Sequence, residues 1–252
     1  MISKIDLNCD MGESYGKYVS HQDEQIMPFI SSCNIACGFH SGDPFTIQKT
    51  IKLAIKHEIA IGAHPSYPDL QGFGRRVMKI SGDELKACIL YQVAALKGMT
   101  ESLGGKLHHV KPHGALYNFA SSDKQTATTV VEAILETDKK LKLYAPDKSA
   151  LADIAREKGL EVRAEVFADR RYEDNLLLRS RKLEGAVLHE QKSVLEQLES
   201  MILKKKVRTY SGKEFPIKAQ TVCLHSDTPG SAKLAKEIHD FLISKNVEIT
   251  ST

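Results

Sequence analysis

Chemically capable side chains recur in this 252-residue chain at one kind of place, just after short apolar runs. Asp10 and Glu13 follow the run ending at Cys9, and His40 and Asp43 follow the run ending at Cys37 between Gly38 and Gly42. His64 follows Ala63, Lys111 and His113 follow Val110, Asp169 and Arg170 follow the run ending at Phe167, and His225 and Asp227 follow Leu224. Carboxylates, imidazoles and an amine within reach of one another are the equipment of acid–base or metal-assisted hydrolysis of a small polar molecule. Gly72-Phe73-Gly74-Arg75-Arg76 adds a loop with two guanidinium groups, which suits a carboxylate or a phosphate. A plainer account stands beside each. Asp43, Asp147 and Asp227 are of the type that caps helices, the glycines suit turns, and loop arginines are often only solvated.

The elements that must position these groups follow from periodicity. Apolar runs of strand length fall at 5–9, 33–37, 59–63, 107–110, 141–145, 162–167 and 221–224, and read as parallel strands buried on both faces. Amphipathic helices lie between them. Ser81 and Glu84 form a capping box ahead of Leu85, Ile89, Val93 and Leu96. Asp43 caps a helix opening on Pro44, Asp147 starts another, and Ser193 with Glu196 makes a second capping box. Leu234, Ile238, Phe241 and Leu242 stripe a last helix. Repeated βα units predict a parallel sheet with right-handed crossovers. With no linker or composition shift, residues 1–252 are expected to form a single β/α-barrel domain, distorted or incomplete, with a doubly wound open sheet as the alternative. In a barrel, the strand ends named above share the face where active sites are built.

Composition narrows the function. Lys plus Arg number 35 against 32 Asp plus Glu, and Trp is absent, which argues against nucleic-acid binding. Apolar residues make up 42% and charged residues 27%, an ordinary globular balance. The five cysteines lack both framework and zinc-finger spacing, and read as buried thiols of a reducing compartment. No apolar stretch approaches the roughly 20 residues of a membrane span, and Lys4, Asp6 and Asp10 interrupt any signal-peptide core. The expectation is a soluble, cytoplasmic protein. Walker-type, dinucleotide and serine-hydrolase motifs are missing from the sequence.

Longer blocks carry a resemblance. Asp6-Leu7-Asn8-Cys9-Asp10-Met11-Gly12-Glu13-Ser14, Asn34-Ile35-Ala36-Cys37-Gly38-Phe39-His40-Ser41-Gly42-Asp43-Pro44 and Gly62-Ala63-His64-Pro65-Ser66-Tyr67-Pro68-Asp69 open the series. Val110-Lys111-Pro112-His113-Gly114-Ala115-Leu116-Tyr117-Asn118, Glu165-Val166-Phe167-Ala168-Asp169-Arg170 and His225-Ser226-Asp227-Thr228-Pro229 continue it. Together with the Gly72–Arg76 loop they resemble the LamB/YcsF family along nearly the whole chain. The resemblance implies a distorted seven-stranded (β/α)7 TIM-like barrel of the glycoside hydrolase/deacetylase type. It implies a share in the ATP-dependent 5-oxoprolinase reaction, opening 5-oxo-L-proline to L-glutamate with ADP and phosphate. ATP is then a co-substrate with Mg2+, and the partners are two further subunits resembling allophanate-hydrolase-type proteins; self-association into a homo-oligomer is compatible with it.

On this reading Asp10 is a general base or metal-facing carboxylate supported by Glu13, while Lys111 and His113 stabilise developing oxygen charge. Arg75 or Arg76 clamps a carboxylate or phosphate, and His40, Asp43, His64, Asp169, Arg170, His225 and Asp227 complete the binding set. By analogy with deacetylase barrels, Asp10, His40 and His64 hold a divalent ion. The competing readings are a stand-alone metal-dependent deacetylase or amidohydrolase, and a non-catalytic substrate-binding subunit.

Overall fold

The computed structural model describes residues 3–16, 22–188, 190–225 and 230–251. Its strands are β1 (Ser3–Met11), β2 (Ser32–Ala36), β3 (Ala60–His64), β4 (Leu107–Val110), β5 (Lys142–Ala145) and β6 (Glu161–Phe167), followed by β7 (Lys206–Arg208), β8 (Glu214–Pro216), β9 (Thr221–His225) and β10 (Val247–Ile249). β1 to β6 and β9 pair in parallel, each with its neighbour. β9 then pairs with β1, Asp6 against Thr221 through Asp10 against His225, and closes a seven-stranded barrel. That closure excludes the open sheet. β10 lies outside the closure, parallel to the start of β1 from Ser3 to Ile5. β7 and β8 form a separate antiparallel ribbon too short to give a period-2 signal.

The helices are α1 (Asp23–Ile26), α2 (Pro44–Lys56), α3 (Gly82–Ser102), α4 (Gly114–Ala120), α5 (Lys124–Thr137), α6 (Ala150–Glu157), α7 (Gln191–Ile202) and α8 (Ser231–Ser244). Asp43 caps α2 by accepting from the Phe45 and Thr46 N–H groups, and the Ser81/Glu84 capping box opens α3. Two starts differ from expectation. α6 is capped by Ser149 through the Ala152 N–H, because the Asp147 carboxylate turns to Arg156 at 2.5 Å. α7 begins two residues before Ser193, which therefore sits inside the first turn. The pair α4 and α5 has a weak sequence signature; the β-branched Thr126, Thr128, Thr129, Val130 and Val131 obscure the helical pattern of α5.

The apolar core lies outside the strands, not within them. Leu7, Cys9 and Met11 of β1 are fully buried in the layer between strands and helices. Alternate residues Asp6, Asn8 and Asp10 point inward, because they touch non-adjacent strands: Asn8 reaches Glu165 of β6 and Asp10 reaches Lys111 beyond β4. The strands are thus apolar on one face and polar on the other, a correction to their reading as apolar on both. The interior of this barrel is a column of hydrogen-bonding groups.

Candidate functional site

At the inner end of the column, Asp6 accepts from Ser31, Ser32 and Thr221 at 2.6–2.8 Å. Burial raises its pKa above the ordinary aspartate value, against the pull of these hydroxyls. One level higher, the Asn8 amide donates to Glu165 at 3.0 Å and to Thr221 at 2.6 Å. Asn34 donates to Asn8 at 2.7 Å and to Asp10 at 2.9 Å, and receives His109 Nε2–H at 2.8 Å. Gly62 makes room for that imidazole, since a Cβ there would lie 2.1 Å from His109 Nε2.

The column leads to Lys111. Its Nζ lies 2.9 Å from Asp10 Oδ1, 3.1 Å from Glu165 Oε1, 3.4 Å from Asn8 Oδ1 and 2.8 Å from Cys223 Sγ. Burial opposes the Lys111 charge most strongly, but Asp10, Cys223 and Glu165 together outweigh it and hold the pKa well above that of a free lysine. Burial pushes the Cys223 thiol up despite the neighbouring ammonium, so the sulfur stays protonated. The Lys111 ammonium also lies 5.3 Å from the centre of the Phe167 ring, which packs edge-on against Tyr117.

Above Lys111 three imidazoles gather. His64 ends β3, His40 hangs from the loop between Gly38 and Gly42, and His113 precedes α4; all are buried. The His40 and His113 rings stack with centres 3.8 Å apart. Glu13 Oε1 lies 3.2 Å from His40 Nε2 and 3.4 Å from His113 Nδ1. Burial, reinforced by the other imidazoles, depresses the pKa of both His40 and His113 well below the ordinary histidine value. Gly74, at φ +63°, lets the Gly72–Arg76 loop close over the cluster, since a Cβ there would stand 2.7 Å from His113 Cδ2 and 2.9 Å from His40 Cβ.

The structure thus brings Asp10, Glu13, His40, His64, Lys111 and His113 together at the barrel mouth. One donor atom from each of Glu13, His40, His64 and His113 falls within 4.8 Å of all the others. Three imidazoles and a carboxylate are the donor set of a borderline divalent cation. Asp10 faces the cluster from the side, with Oδ2 3.3 Å from His64 Nε2. The convergent set therefore contains Glu13 and His113, where the sequence-based expectation has Asp10.

Other expected positions are occupied differently. Asp43 is engaged in capping α2 and also accepts the Gly16 N–H at 3.0 Å. Arg76 is paired with Asp69, while Arg75 is exposed at the rim with its guanidinium 5.0 Å from the Phe73 ring centre. Arg170 is buried and donates to the Ala186 and Arg179 carbonyls, pinning the loop after β6; burial, with Arg181 adding to it, lowers its pKa to about 10. The Asp169 carbonyl accepts from Leu188 N–H in the same loop. His225 closes β9 level with Asp10, whereas its side chain and the whole of Asp227 lie outside the described residues.

Glu165, Asn8, Asn34 and Cys223 join the site without being expected there. Their signal is parity. Within the run 162–167, a carboxylate at Glu165 stands two residues from Phe167, on the inward side of a strand that otherwise reads as core.

The model of the LamB/YcsF family matches residues 5–252. The chain belongs to that family. Among its relatives, a LamB/YcsF protein from Acinetobacter baylyi, named as a 5-oxoprolinase subunit, is 48% identical over 248 residues, covering 98% of both chains. The protein of the same name from Campylobacter jejuni (strain 81116) is 45% identical over 246 residues, covering 98% of this chain and 96% of its own. In structure, the LamB/YcsF chain superposes on the lactam utilization protein from Thermus thermophilus with a TM-score of 0.93 and 38% identity, over 99% of this chain and 100% of that one. A T48 deacetylase, at TM-score 0.51 and 12% identity over 99% of this chain and 88% of its own, shares the fold. No helix of the described residues is long and apolar enough to cross a membrane.

Proposed function

We propose that this protein is the barrel subunit of an ATP-dependent 5-oxoprolinase, converting 5-oxo-L-proline to L-glutamate with ADP and phosphate. The observation that carries the reading is the end-to-end match with relatives named as 5-oxoprolinase subunits. The geometry supplies compatible chemistry. A five-membered lactam is a resonance-stabilised amide whose carbonyl resists water. Transfer of the ATP γ-phosphoryl group to the carbonyl oxygen makes the carbon electrophilic. Water then adds, phosphate departs, and the carbon–nitrogen bond breaks as the nitrogen takes a proton.

In this reading the hydrolytic step takes place at the barrel mouth. Asp10 accepts the proton of the attacking water, and Glu13 supports it from the neighbouring loop. Lys111, kept cationic by Asp10 and Glu165, faces the oxygen on which charge develops, and His113 assists. One such donor is worth about 2.7–4 kcal/mol. Arg75 at the rim receives the substrate carboxylate or the transferred phosphate. ATP with Mg2+ is a co-substrate shared with two partner subunits, and the complex works without a membrane or nucleic acid. Cytoplasmic location belongs to the same proposal.

The test measures ADP and glutamate released from 5-oxoproline and ATP by this chain alone and with its two candidate partners. Coupled release requiring all three supports the reading. Release of glutamate without ATP or partners would instead make the barrel a stand-alone amidohydrolase.

A further inference from the structure

The three buried imidazoles are oriented by backbone carbonyls, and the orientation has an electrostatic consequence. His64 Nδ1 lies 2.6 Å from the Lys111 carbonyl oxygen, and His113 Nε2 lies 2.8 Å from the Phe73 carbonyl oxygen. A carbonyl only accepts, so both of those nitrogens carry the hydrogen. The remaining nitrogens, His64 Nε2 and His113 Nδ1, then present lone pairs, and they face each other at 3.0 Å. Two carboxylate oxygens converge on the same point. Asp10 Oδ2 is 3.3 Å from His64 Nε2, and Glu13 Oε1 is 3.4 Å from His113 Nδ1. Acceptors gathered this closely in a buried space repel one another unless a cation lies among them.

We propose that Glu13 Oε1, His40 Nε2, His64 Nε2 and His113 Nδ1 form a binding site for one borderline divalent cation of the zinc, cobalt or manganese class. The separations fit. Metal–ligand bonds of about 2.0–2.2 Å at tetrahedral angles place neighbouring ligand atoms about 3.3–3.6 Å apart. Here His64–His113, His40–Glu13 and His113–Glu13 stand at 3.0, 3.2 and 3.4 Å. The two carbonyl bonds are the outer contacts that fix the tautomer and ring direction of metal-binding imidazoles. His40 Nδ1 is buried without a hydrogen-bond partner among the described residues, so Nε2 carries that side chain's polar contact. Three imidazoles select against magnesium and calcium, which favour oxygen. Asp10 is assigned outside the ligand set, since its Oδ1 is bonded to Lys111 and Asn34.

Cation binding rests on donor geometry alone and is tested without substrate, so it and the lactam reading can fail separately. The full chain, stripped with a chelator and checked by circular dichroism, is titrated with Co2+, Zn2+, Mn2+ and Mg2+ in turn. Bound metal is counted by mass spectrometry after equilibrium dialysis, and Co2+ coordination is read from its visible absorption. The expected result is one equivalent of Co2+ or Zn2+ with a low-symmetry nitrogen-ligated spectrum, and Mg2+ binding far more weakly. Glu13→Gln and His64→Asn each weaken Co2+ binding by about a hundred-fold or more, while Asp10→Asn retains the single equivalent. Undiminished Co2+ binding in the folded His64→Asn/His113→Asn double variant would overturn the assignment. So would nitrogen NMR of the stripped wild type showing a proton shared between His64 and His113 that added Co2+ and Zn2+ fail to displace.

Discussion

Lys111 Nζ and Glu165 Oε1 meet at 3.1 Å across the barrel interior, with side-chain exposures of 3% and 0%. Lys111 is therefore the single ammonium between two carboxylates contributed by strands that are not neighbours, since Asp10 binds it at 2.9 Å. Replacing Lys111 by Met strands both carboxylates in a buried space. The variant is expected to lose about 3–5 kcal/mol of stability, measured by denaturant unfolding. Adding Glu165→Gln returns part of the loss, because the two positions are coupled. Strict additivity in that double-mutant cycle contradicts the arrangement.

The Gly72–Arg76 loop has a steric signature. Gly74 adopts φ +63°, and an added Cβ would sit 2.7 Å from the His113 ring and 2.9 Å from His40 Cβ. Gly74→Ala is expected to cost about 1–3 kcal/mol through strain at the left-handed backbone, with displacement of the loop from the imidazoles. A crystal structure of the variant with His40 and His113 unmoved, and an unchanged melting temperature, contradicts this packing.

Acid should weaken the fold through histidines below the mouth. Burial, with Lys142, Arg163 and Lys106 adding to it, lowers the pKa of His108 to about 4, and burial drives His109 well below the ordinary value. The unfolded chain takes up protons near pH 6.5 that the folded chain refuses. Their stabilisation is therefore complete above about pH 6.5 and declines as the pH falls toward 4. Unfolding free energies measured at pH 7, 6 and 5 should decrease in that order, and His108→Gln should make the slope shallower. A wild-type profile flat across that range contradicts the neutral buried state.

Helix α3 provides a simple check on local encoding. Ser81 accepts the Glu84 N–H at 3.2 Å while the Glu84 carboxylate accepts the Ser81 N–H at 2.9 Å. Ser81→Ala should cost about 1 kcal/mol, seen as a lowered denaturation midpoint with unchanged slope. An unshifted midpoint means that packing of Leu85, Ile89 and Val93 alone fixes the helix start.

The barrel strands are legible in the sequence because each is a short apolar run followed by a chemically distinctive residue. His40, His64, Lys111 and His113 are legible for the same reason, since a strand end fixes which face a residue reaches. The interior is harder to read. Asp6, Asn8, Asn34 and Glu165 are embedded in those runs, and only their alternation distinguishes the polar interior from the helix-covered face. The partition between Asp10 and Glu13 is also hidden. Asp10 belongs to a straight strand, but the approach of Glu13 to the imidazoles depends on loop paths fixed by close contacts such as Gly74 against His113. The start of α6 departs from expectation for a local reason: Asp147 finds Arg156, leaving the cap to Ser149.

If the barrel mouth carries the hydrolytic step, Asp10 is its proton acceptor. The direct measurement is 5-oxoproline-dependent glutamate formation by the reconstituted three-subunit complex containing either the wild-type barrel or Asp10→Asn. The expected result is a loss of about 10²–10⁴-fold in the variant, with complex assembly and the circular dichroism of the barrel unchanged. Wild-type rates with Asp10→Asn in an assembled complex would contradict that role and move the chemistry to the partner subunits.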